Sequence, residues 1–155
     1  GPGGAEGNRF LMAHTQDVMI EMKSAQRVDG ERDCAETFVR GRIGERDGLF
    51  FIEYSEQDEE TGAGVCTVIE LLPDGGVQIR RSGPSVGCYR VSLQRRHLCT
   101  FATAFGELMF GFTGREILFE RGENGGRLFL RYDLDTNGLL ASENEIDLKY
   151  TVLEN

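Results

Sequence analysis

Nine or ten short stretches of this chain alternate apolar and polar residues with a period of two, and turn signals separate them. No other feature constrains the fold as strongly. A period of two puts the apolar side chains on one face of an extended strand, whereas a helix needs a period of 3.6. Val18, Ile20 and Met22 alternate with Met19, Glu21 and Lys23. Phe50, Ile52 and Tyr54 share a face, as do Leu128, Leu130, Tyr132 and Leu134. Ile146, Leu148, Tyr150 and Val152 make the last such face. Asp29-Gly30, Asp47-Gly48, Pro73-Asp74-Gly75-Gly76 and Asn137-Gly138 mark turns, because Gly and Asn accept positive φ and Pro presets the negative φ of a turn's first central position. Phe38 and Val39 lie on opposite faces of the Cys34–Arg42 stretch, which leaves its inner face open.

The chain has 155 residues, a length that predicts one domain. Its 21 Gly against 3 Pro suit many hairpins. No amphipathic helix competes with the strand pattern. The expected fold is all-β, a single antiparallel barrel of about eight to ten strands, because closure removes exposed sheet edges. Gly1-Pro2-Gly3-Gly4 reads as a cleavage scar. Residues 1–12 are therefore read as a tail, with the native start as late as Met12, and residues 13–155 as the barrel.

A net charge of −9 argues against nucleic acid and anionic membranes as partners. Arg90, Arg95, Arg96 and His97 form a basic cluster, read as a solvated face. Cys34, Cys66, Cys88 and Cys99 contain no C-x-x-C pair and are expected to be buried free thiols of a cytoplasmic protein. No apolar run reaches the ~18 residues of a membrane span.

Three runs in order carry a family resemblance: Arg81-Ser82-Gly83, the Thr100–Leu108 segment T-F-A-T-A-F-G-E-L, and Leu130-Arg131-Tyr132-Asp133-Leu134. Together they resemble the YwiB-like family of small bacterial proteins, over roughly Val77 to the C-terminus. Ala104 stands where many relatives carry Pro. The resemblance implies a lipocalin-like (calycin) β-barrel and a cytoplasmic setting, and no established activity.

Arg81 is in phase with Val77 and Ile79, so alternation points it into the barrel. A buried guanidinium needs a partner. It is read either as a fork that anchors an anion or as a plug stacked on Phe101 or Tyr89. The candidate ligand-binding set is Arg81, Tyr54, Thr100, Phe101, Thr103 and Tyr132: a few polar groups in an apolar pocket. Asp133-Leu134-Asp135-Thr136-Asn137-Gly138 begins like a calcium loop, but the twelfth position is Asn144 and the preceding stretch is a strand. It is read as a hairpin turn. No cofactor or metal site is assigned. Catalysis has little support beyond His97 and Cys99, which share a strand face. Three readings of function remain: a barrel holding a small apolar or anionic ligand, a filled-barrel protein-interaction module with no such ligand, or an enzyme of unknown reaction using Cys99 and His97.

Overall fold

The computed structural model describes residues 15–83 and 87–154. Among them there are ten strands and no helix. The strands are β1 (Thr15–Val28), β2 (Glu31–Arg46), β3 (Leu49–Gln57), β4 (Gly64–Leu71), β5 (Val77–Ser82), β6 (Gly87–Val91), β7 (Arg96–Thr103), β8 (Gly106–Arg121), β9 (Gly125–Thr136) and β10 (Leu139–Val152). They form one antiparallel sheet in the order β6-β5-β4-β3-β2-β1-β10-β9-β8-β7. The sheet curls into a nearly closed barrel, so the all-β expectation holds. The tail read over residues 1–12 lies outside the described residues.

The short turns follow from local chemistry. Asp29 and Gly30 have φ of 50° and 82°, Asp47 and Gly48 have 54° and 77°, and Asn137 and Gly138 have 53° and 82°. Two successive positive φ values define the type I′ turn, whose twist matches that of its strands. The loop that resembled a calcium site is therefore a hairpin. Its Asp135 Oδ1 accepts the Gly138 amide at 3.0 Å, and Arg115 and Arg96 hold Asp133 and Asp135 on the outside.

The core follows from the alternation. Ile43, Ile52, Ile69, Ile79 and Tyr89 form a single cross-strand row from β2 to β6, all facing in. Val18, Ile20, Leu128, Leu130 and Leu148, all fully buried, fill the opposite wall. Val39 packs against this core while Phe38 is 67% exposed, which settles the inner face of β2. Tyr150 pairs with Gly126, where any Cβ would run into the tyrosine ring. The tyrosine is only 2% exposed, and its hydroxyl has no hydrogen-bond partner among the described residues.

Two gaps interrupt the wall. Strands β6 and β7 leave a tight turn and then separate without a ladder. Gly114 closes the lower part of that seam by donating to the Ser92 carbonyl and accepting from the Gln94 amide, both at 2.9 Å. Higher up, the Cys99 thiol donates to the Cys88 carbonyl at 2.7 Å, and Tyr89 stacks on Phe112 with centroids 4.4 Å apart. The second gap lies between β2 and β3, which pair only over Gly41–Arg46 of β2. Residues 31–40 pair with β1 alone, leaving a free edge guarded by Glu31, Arg32, Asp33, Glu36 and Arg40.

The cysteines do not match the expectation of buried thiols. Cys34 and Cys88 are exposed, and Cys66 and Cys99 are half-buried. Cys34 lies on the free edge of β2, and Cys88 faces outward because Tyr89 and Val91 face in. None of the four is in a disulfide. No helix among the described residues is long and apolar enough to cross a membrane.

Candidate functional site

The lower half of the barrel is filled and the upper half is not. A cavity of about 430 Å³ opens at the end that carries the β1–β2 and β3–β4 turns. Small residues keep it open along one wall: Ser24 and Ala25 of β1 with Ala35 and Thr37 of β2. The floor is apolar, made by Met22, Ile69, Ile79 and Ile146. The split between β2 and β3 gives it a side opening, because Asp33 and Cys34 line it from one strand and Tyr54 and Glu56 from the other.

One step above the isoleucine row lies a polar row. Tyr54 pairs with Thr67 across β3 and β4, and Thr67 pairs with Arg81 across β4 and β5. All three line the cavity, joined by Tyr89 from β6 and Tyr132 from β9. The Tyr54 hydroxyl approaches the Met22 sulfur at 3.6 Å and interacts with Thr67. The Tyr89 and Tyr132 side chains also interact through their hydroxyls, with ring centroids 6.3 Å apart. Burial pushes the ionisation of Tyr54 up to about 12, against a smaller downward pull from Arg81. Burial also raises Tyr89 and Tyr132, and Arg81 opposes it in both. All three phenols therefore stay protonated at neutral pH and keep an O–H to donate.

Arg81 faces in, as its phase with Val77 and Ile79 requires, but β5 ends there and the side chain is exposed at the mouth. The desolvation cost expected for a buried guanidinium is therefore avoided. Among the described residues no carboxylate pairs with Arg81 and no ring stacks on it. Most other arginines are engaged: Arg80 with Glu70, Arg96 with Asp135, Arg127 with Asp147, and Arg121 over Phe50.

The candidate residues divide into two groups. Tyr54, Arg81 and Tyr132 converge on the cavity. Phe101 packs the seam instead, against the bare face of Gly87 and the rings of Phe110 and Phe112. Thr100 points outward, since its neighbour Phe101 faces in. Thr103 ends β7, and its side chain lies outside what is described. Tyr89 and Thr67 join the site without having been among its candidates. Their inward phase was legible in the sequence, but the convergence of β6 and β9 depends on closure.

The His97–Cys99 pair does not form a nucleophilic dyad. His97 Nε2 meets the Ser92 hydroxyl at 2.7 Å, and the Cys99 thiol is occupied by the Cys88 carbonyl. Burial raises the Cys99 thiol, and burial with Arg95 and Arg90 lowers His97. A raised thiol is the opposite of an activated one.

Comparison with known proteins agrees with this architecture. The crystal structure of the ywiB protein from Bacillus subtilis superposes with a TM-score of 0.77 at 20% identity, covering 90% of this chain and 94% of that one. This likeness concerns the fold alone. No curated protein matches the chain. The family model described as a domain of unknown function, DUF1934, matches residues 20–148, and the chain belongs to that family.

Proposed function

We infer that this barrel binds a small amphipathic molecule in its hollow upper half, with Arg81 as anchor for the polar end. The carrying observation is the half-filled interior: a cavity of about 430 Å³ with an apolar floor and a polar upper wall and mouth. Small-molecule sites occupy about 300–1,000 Å³ and have this mix of lining. Unbridged cysteines suit a cytoplasmic setting for such a carrier or sensor.

The test is mass spectrometry of freshly purified protein under native and denaturing conditions, repeated on Arg81→Met. The expected result is a reproducible small mass that is lost on denaturation and absent from the variant. Identical masses, together with an unfolding midpoint that no small acid or hydrocarbon shifts, overturn the reading.

A protein-interaction role is the second reading, favoured by one observation. Leu98, Gly111, Asp135 and Leu140 form an outward row across β7 to β10. Leu98 and Leu140 are 58% and 60% exposed and flank the Arg96–Asp135 ion pair, which lies over Gly111. Exposed leucines on either side of an ion pair on an outer face suit a protein surface.

A further inference from the structure

Resting on the ligand-binding reading above, the arrangement at the mouth indicates which chemical class the cavity takes. Four hydrogen-bond donors from four strands line one space: Tyr54 of β3, Arg81 of β5, Tyr89 of β6 and Tyr132 of β9. The Arg81 charge acts on all three tyrosine hydroxyls, which puts the four groups in one electrostatic neighbourhood. Tyr89 and Tyr132 bond to each other, and among the described residues no carboxylate pairs with Arg81. The Tyr54 hydroxyl has the Thr67 hydroxyl and the Met22 sulfur, a weak acceptor, as its neighbours.

We propose that Arg81 and the hydroxyls of Tyr54, Tyr89 and Tyr132 form the seat for the carboxylate of an apolar monocarboxylic acid. Its hydrocarbon body lies on Met22, Ile69, Ile79 and Ile146. A guanidinium offers two parallel donors to a carboxylate, and the phenols take the remaining lone pairs. Two further observations restrict the class. Glu56 and Asp33 also line the mouth, and Glu56 acts on Tyr54. With one arginine and two carboxylates the mouth carries a net negative charge before a ligand enters, so a phosphate dianion is disfavoured more strongly than a monoanion seated directly on the Arg81 fork. The apolar floor disfavours a small hydrophilic anion that would leave it bare.

The test is isothermal titration calorimetry at neutral pH on the full chain with three probes of one shape: phenylbutyrate, phenylbutanol and phenylbutylamine. The same titrations are made on Arg81→Met and Tyr89→Phe, with circular dichroism confirming that each variant folds. The acid is expected to bind about tenfold to a hundredfold more tightly than the alcohol, the range of a charge-assisted hydrogen bond. The amine is expected to bind less tightly than the acid, because Arg81 lies at the seat; an amine that binds as tightly as the acid would show that Glu56 and Asp33 set the charge preference and would overturn the seat. Arg81→Met removes the preference for acid over alcohol, and Tyr89→Phe reduces it. If alcohol and acid bind equally well, the carboxylate seat is wrong while the cavity reading stands. If the acid binds preferentially but neither substitution matters, the seat lies elsewhere and the assignment fails. If none of the three binds, the seat and the cavity reading fall together.

Discussion

Replacing Tyr150 by Phe should make this protein more stable. The Tyr150 ring is well used, being 2% exposed, with the Phe50 ring centroid 6.1 Å away and Gly126 beneath it. Its hydroxyl is not, since it has no partner among the described residues. A buried polar group without a partner costs about 1–3 kcal/mol relative to its hydrated unfolded state. Tyr150→Phe deletes that oxygen and leaves the packed ring in place. We expect a gain of about 1 kcal/mol, which for a domain of this size raises Tm by about 2–4 °C. Urea titration of both proteins measures it, with equal m values showing that the gain is one of stability. The gap should widen in alkali. Burial raises the Tyr150 phenol above its ordinary value of 10.0, so the native chain keeps a proton that the unfolded chain has lost. Stability then falls as pH rises past that value, and the variant is spared this share of the loss. A variant less stable than its parent at neutral pH would refute the reasoning, because the hydroxyl would then have to be making a net favourable bond.

Three other outcomes are expected. His97 is held below its ordinary value of 6.5 by burial, Arg95 and Arg90, so the folded chain resists a proton that the unfolded chain takes up. The urea midpoint should fall as pH drops below that value, and His97→Gln should flatten this part of the profile. Gly126→Ala should destabilise by about 1–3 kcal/mol, read from the same titration, because its Cβ would meet the Tyr150 ring and, at 2.6 Å, the Glu120 carbonyl. Iodoacetamide followed by peptide mass mapping should label exposed Cys34 and Cys88 before Cys99, whose thiol is raised by burial and bonded to the Cys88 carbonyl. Labelling of Cys99 first would revive a catalytic role for it.

The strands and turns were legible because their causes are local. Alternation depends on nearest neighbours, and Asp29-Gly30, Asp47-Gly48 and Asn137-Gly138 carry their backbone angles in their own chemistry. The inward phase of Arg81 was legible for the same reason, but not its exposure, which depends on where β5 stops relative to the barrel rim. Thr100 and Phe101 show a further limit. Thr100 faces out where Phe101 faces in, and the seam that claims Phe101 exists only once β6 and β7 separate. Tyr89 and Tyr132 are 43 positions apart in sequence, by subtraction of their numbers. Only closure of the barrel brings them to one cavity. The cysteines misled because small apolar residues in strands are usually inside. Here the strand carrying Cys34 runs past the wall that would have covered it.

The order of strands around the barrel also bears on how the chain reaches this state. Eight of its nine ladders join consecutive strands, which can zip as hairpins from their own turns. The ninth joins β1 to β10, setting Val18 against Val152 across almost the whole sequence. Two local arrays, β1–β6 and β7–β10, can therefore assemble separately. The loop-closure entropy falls mainly on the step that docks one on the other. Substitutions in the β1–β10 ladder that form their contacts only after that docking step should chiefly hasten unfolding. Those that form earlier should slow the approach to the native barrel.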